Sequence, residues 1–254
     1  MTLAGVPVLL TGASGGIGSS LAAALADKHA QLALHGRDRS RLGELSARLG
    51  AHAIVGDLRD PGACEEAVQR ALEALGGLEI VVSNAGAGRA ARLGDMDEAS
   101  LEELLDLNLA APLRLARAAL PHLRHAAEQG RRPQLLFVAS IAGHLGVPLE
   151  APYSAAKAGL LAAAEAIAEE ERPFGIRVGV VSPGAVSTEF FARRGLEYER
   201  RIPRPIPPGR VVSDVVGVLE GRRVEAISPR WLRVAAVVKA ASPTLYRALA
   251  SRMP

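Results

Sequence analysis

The chain has 254 residues, 49% hydrophobic and only 3% aromatic, with 30 basic side chains against 27 acidic ones. That length suits a single domain, residues 1–254, with a sizeable core filled mainly by aliphatic side chains. A formal charge of +3, spread over scattered arginines, is no nucleic-acid signature, and the lone Cys64 excludes an intrachain disulfide or a multi-cysteine metal site.

The N-terminus shows no basic, apolar and small-residue leader, and no apolar run reaches the ~20 residues that span a bilayer. A soluble, cytoplasmic protein is expected. Short apolar runs predict strands at Val6–Thr11, Gln31–His35, Ala51–Val55, Leu78–Ser83, Gln134–Ser140, Ile176–Ser182 and, more weakly, Val224–Ile227. Helical patterns fall between them, near 17–28, 39–49, 61–75, 98–127, 153–172 and 211–220. Continuous apolar strands alternating with helices predict an α/β fold: one doubly wound, Rossmann-like, seven-stranded parallel sheet with helices on both faces and right-handed crossovers.

The first strand runs into Thr11-Gly12-Ala13-Ser14-Gly15-Gly16-Ile17-Gly18, which opens the first helix. Glycines there allow a tight turn and a close approach to a pyrophosphate, whose charge meets the helix N-terminus. With Thr11, Gly12, Gly16 and Gly18 at this spacing, the chain resembles the short-chain dehydrogenase/reductase family. The resemblance implies an oxidoreductase that moves hydride between a nicotinamide and a carbonyl or alcohol carbon.

The second strand ends at His35-Gly36-Arg37, without the acidic residue that would hold a ribose 2′-hydroxyl. Gly36 leaves room and Arg37 offers a planar cationic fork, so NADP is preferred over NAD; Asp38, one residue on, argues the other way. Asp57-Leu58 follows the third strand, where the family places an adenine contact. Asn84-Ala85-Gly86 follows the fourth and matches the family's cofactor-side motif, with Ser83 where many members carry a second Asn.

Tyr153 and Lys157 stand four residues apart, on one helical face. Carbonyl reduction leaves negative charge on oxygen and needs a proton donor; a cation near the phenol is expected to favour phenolate for the reverse reaction. Ser140 lies thirteen residues before Tyr153, the family's separation, and can hold the substrate oxygen. Asn108 sits inside the long fourth helix, where Asn is disfavoured; the resemblance gives it a water-linked proton relay to Lys157. Pro183-Gly184, Val186 and Thr188 follow the sixth strand, and the family uses this stretch beside the nicotinamide. No metal is required.

Residues 184–210 break the strand–helix rhythm with Pro203, Pro205, Pro207 and Pro208, and read as a substrate lid or as a plain surface loop. His144 and Phe190 are candidate substrate contacts. With Leu145, Val147, Leu149, Phe191 and Tyr198, Phe190 could form an apolar wall for a lipophilic ketone, aldehyde or alcohol. The helical tail 229–254 mixes apolar residues with cations; it can cover its own core or a partner subunit, with membrane-surface contact as the lesser option. By resemblance, a homodimer or homotetramer pairs through the two long helices. A dinucleotide-sensing regulator without turnover is the alternative from another class, disfavoured because tyrosine and lysine are both kept.

Overall fold

Seven parallel strands form one sheet in the order β3-β2-β1-β4-β5-β6-β7: Pro7–Thr11 (β1), Gln31–Gly36 (β2), His52–Val55 (β3), Ile80–Ser83 (β4), Gln134–Val138 (β5), Arg177–Pro183 (β6) and Glu225–Ser228 (β7). The structure is a computed structural model and describes residues 2–196, 198 and 203–250. Parts of the expected lid (197 and 199–202) and tail (251–254) lie outside the described residues. Strand β1 pairs with β2 on one side and β4 on the other, with Leu9 beside both Ala33 and Val81. The chain therefore winds outward in both directions from β1, and the strand ends at that divide form a crevice.

Successive side chains of β1 serve opposite faces. Leu10 packs with Leu21 and Leu25 of α1 (Gly16–Ala26) and with Val215 of α9 (Pro208–Leu219). Leu9 packs with Val68 of α3 (Ala63–Leu75), Leu115 of α5 (Ala111–Glu128) and Leu160 of α7 (Ala151–Glu171). Both faces of the sheet are thus covered, which is why the strands read as apolar runs without alternation.

Among the boundaries that differ from the expected ones, three do so for clear local reasons. The helix expected over 98–127 is α4 (Glu98–Leu105) and α5 joined by a five-residue π turn, Asp106–Ala110. Strand β5 stops at Val138, and Ser140 instead caps α6 (Ile141–Leu145) by accepting from the Ala142 amide at 3.1 Å. Helix α7 begins two residues before Tyr153, with Pro152 in its first turn, where a missing N–H costs nothing. The remaining helices are α2 (Arg39–Leu49), α8 (Phe190–Arg193), α10 (Leu232–Ala241) and α11 (Pro243–Ala250). No helix among the described residues is long and apolar enough to cross a membrane.

Candidate active site

The glycine-rich turn is fastened to the fourth strand by Thr11 and Asn84. The buried Thr11 hydroxyl accepts from the amides of Asn84 (3.0 Å) and Ala85 (3.2 Å), while the Asn84 amide group donates to the carbonyls of Thr11 (3.0 Å) and Gly12 (3.2 Å). This leaves no space at Gly12, where φ is +64° and a Cβ would lie 2.8 Å from the Ala85 Cα. Helix α1 opens with neither a capping side chain nor an acidic residue in its first turn. Its first amides are therefore open to an anion lying over Ser14, Gly15, Gly16, Ile17 and Gly18, all of which line the cleft.

At the far end of this cleft, a Cβ on Gly36 would come 3.0 Å from the Ser14 hydroxyl. Arg37 is half exposed and 3.5 Å from Asp57. Asp57 is engaged mainly by Arg59, which holds its carboxyl down to about 2 through side-chain and backbone hydrogen bonds. Asp38 caps α2 by accepting from the Arg41 amide at 3.0 Å, so its carboxylate already serves a helix terminus. Buried His35 also borders the cleft, and burial pushes it down to about 4, which keeps it neutral.

The other end gathers Ser140 from the cap of α6, Tyr153 and Lys157 from α7, and Asn108 from the π turn. Tyr153 is hydrogen-bonded to Ser140, and the Lys157 ammonium donates to the Val138 carbonyl at 3.2 Å. Inside the π turn, the Asn108 amide group donates to the carbonyls of Ala87 and Leu104, each at 2.9 Å. The Leu104 carbonyl lies four residues upstream and is taken by a side chain instead of the regular ladder, which gives a disfavoured Asn a reason to be there. Its buried Oδ1 has no hydrogen-bond partner. A Cβ on Gly86 would meet that Oδ1 at 2.9 Å and the Lys157 Nζ at 3.6 Å, so both polar atoms border one spot.

The protonation balance corrects one expectation. Burial pushes the Tyr153 phenol up to about 12, with the Ser140 hydrogen bond opposing it, and pushes Lys157 down to about 8. Burial outweighs the nearby ammonium, which donates to the Val138 carbonyl. Tyr153 is a protonated donor throughout the neutral range.

The family sequence model for short chain dehydrogenases matches residues 7–199, which include every one of these groups. The chain belongs to the short-chain dehydrogenase family. Ketoacyl reductase HetN of Nostoc sp. is 31% identical over 236 residues, covering 89% of this chain and 79% of the relative. The 3-oxoacyl-acyl-carrier-protein reductase FabG of Escherichia coli is 29% identical over 241 residues, covering 92% and 97%. A short chain dehydrogenase from Burkholderia cenocepacia, solved in complex with NADP, superposes with a TM-score of 0.78 at 29% identity over 89% of this chain and 97% of that one. The protein is thus an NAD(P)-dependent oxidoreductase. Nothing among these relatives favours a dinucleotide sensor without turnover.

The dehydrogenase's cleft has a volume of ≈ 1420 Å³ and continues past the tyrosine beneath the segment after β6. Pro183, Gly184, Val186 and Thr188 all line it, as do Asp57, Leu58, Asn84, Ala85 and Gly86. The Thr188 methyl sits where a Cβ on Gly16 would be 2.5 Å away, so this segment touches the phosphate turn. Phe190 lies 5.8 Å from Tyr153 and 5.8 Å from Phe191, which lies 4.7 Å from Tyr198. These rings, with Leu145, Val147 and Leu149, line the substrate end. The His144 expectation is corrected: its ring is bonded to the Ser182 hydroxyl at 3.0 Å and does not line the cleft, because the short α6 turns it toward β6. Sequence reading missed Glu150, Arg194, Arg59 and Tyr246. The first two form a buried ion pair tying the lid to the start of α7, and no motif signals such a pair.

Proposed function

We propose that this dehydrogenase is an NADPH-preferring reductase of lipophilic ketones or aldehydes, in the class of open-chain oxoacyl compounds. The observation that carries the reading is a buried, protonated Tyr153 paired with Ser140 at the foot of an apolar, ring-lined cleft. A bound nicotinamide supplies the hydride. Ser140 and Tyr153 hold the carbonyl oxygen between them, and Tyr153 gives that oxygen its proton as charge develops. Lys157 returns a proton to the phenol, and the Asn108 Oδ1, facing the same spot beside Gly86, would hold a water of that relay by accepting from it. The raised phenol favours this direction, since the reverse reaction first requires its proton to be removed.

Support for NADP comes from the half-exposed Arg37 beside a Gly36 that carries no side chain into the cleft, and from an Asp38 already committed to capping α2. The NADP complex of the Burkholderia cenocepacia relative points the same way, and the reductase names of HetN and FabG support the direction of the reaction. A dimer or tetramer paired through α5 and α7 belongs to the same reading, since α7 exposes the small Ala155, Ala158 and Ala162.

The test is a panel of carbonyl compounds, from small charged ones to long-chain 3-oxoacyl thioesters, followed by NADPH absorbance. Tyr153→Phe is expected to lose about 10²–10⁴ in kcat. Arg37→Ala is expected to lose about tenfold to hundredfold in kcat/KM with NADPH and to leave NADH unaffected. Unchanged turnover in Tyr153→Phe overturns the mechanism. A preference for NADH overturns the cofactor assignment, and activity confined to small charged substrates overturns the lipophilic one.

A further inference from the structure

The last two helices carry a feature the dehydrogenase chemistry leaves unused. From Ala226 to Pro254 the chain holds Arg230, Arg233, Lys239, Arg247 and Arg252 and no Asp or Glu at all. Leu232 is buried, and its methyl packs where a Cβ on Gly184 would be 2.6 Å away, so α10 is seated on the segment after β6. Lys239 bolts the same helix to the end of α6 by donating to the His144 carbonyl at 2.7 Å. The opposite side of the tail is open: Trp231 is 48% exposed, Val234 66%, Val237 58% and Leu245 52%. Val234 and Val237 follow Trp231 at three-residue steps and lie on one stripe of the helix. Arg230, Arg233 and Arg247 flank these residues, are exposed, and form no ion pair among the described residues.

We infer that this apolar, wholly cationic face docks on an anionic lipid surface. An exposed tryptophan and valines bordered by arginines form the mixed face that sits at a headgroup boundary. Charge decides between lipid and a second copy. A two-fold pairing sets a patch against itself, and a patch with cations and no acid would repel its own copy. Anionic headgroups complement it instead. Tyr246 of α11 and Leu232 of α10 also line the cleft, so docking brings the substrate end beside lipid. That placement suits a lipophilic substrate and rests on the proposed function, but the docking itself does not.

Trp231 is the only tryptophan in the chain, so its emission reports on this face alone. Full-length protein is mixed with vesicles of phosphatidylcholine, with or without phosphatidylglycerol, and read by fluorescence and co-sedimentation without any turnover. Anionic vesicles at low salt are expected to shift the emission to the blue and to carry the protein down; neutral vesicles do neither. Arg230→Gln and Arg233→Gln each weaken partitioning about fivefold. Val234→Asp with Val237→Asp abolishes it while thermal stability and NADPH binding stay as in the parent, since both side chains are exposed. Unshifted emission with anionic vesicles overturns the inference. So does a blue shift that grows with protein concentration in the absence of lipid, which would place a second copy on the face.

Discussion

The two ends of the cleft are built from different materials. The nucleotide end consists of backbone and short side chains: Thr11 and Asn84 lock a turn of glycines in which Gly12 has no room for a side chain against the neighbouring strand end. The substrate end consists of long side chains from late in the chain, held by ion pairs and ring contacts across the lid. The first end therefore has a fixed shape set by sterics, and the second a shape set by charges that substitution can release. Arg194→Ala tests the second end hardest. Its partner Glu150 is only 5% exposed, and a buried carboxylate left alone costs about 3–5 kcal/mol, read as a lowered melting temperature. Gly18→Ala tests the first. A Cβ there would lie 2.0 Å from the Gly12 carbonyl oxygen, so the turn itself must move. A loss of about 1–3 kcal/mol in stability is expected, with weakened NADPH binding measured by fluorescence titration.

The same contrast explains what the sequence made legible. The seven strands, the phosphate turn and the Tyr153–Lys157 spacing can be read from it, because each depends on spacing along one or two adjacent elements, whereas the roles of Ser140 and Asn108 come only with the family resemblance. Arg194 and Glu150 stand 44 residues apart, and nothing local in either marks the other. His144 misled for a related reason: spacing places it near the cleft, but α6 decides which way the ring turns. The tyrosine–lysine spacing also misled about acidity, since it shows that a cation is near and not that burial outweighs it. The tail's mixed face was visible in the sequence, and its outward orientation only in the fold.

Protonation separates the two directions of catalysis. Tyr153, raised to about 12, stays protonated at every working pH and can always donate; Lys157, lowered to about 8, loses its charge above that value. Reduction is therefore expected to be flat from pH 6 to 7.5 and to fall as pH rises through about 8, approaching tenfold per unit. Alcohol oxidation is expected to climb over the same range as removal of the phenol proton becomes easier. Rates for both directions across pH 6–10 check this, and reduction that accelerates above pH 8 would contradict the assigned donor.

The smallest effect concerns an ion pair that bridges the two ends. Arg41, beside the nucleotide end on α2, pairs at 2.9 Å with Glu189, which follows Thr188 on the lid and also bonds Arg193. Both partners are half exposed or more, and solvent screens such pairs strongly. Glu189→Gln keeps the shape and removes the charge, so NADPH dissociation is expected to quicken by less than about fivefold. Salt distinguishes a latch from an ordinary surface pair. Raising ionic strength should speed release from the parent toward the variant's rate, while the variant responds less, as stopped-flow release would show. Equal salt dependence in both would mean that Thr188, seated against Gly16, holds the lid down by contact alone.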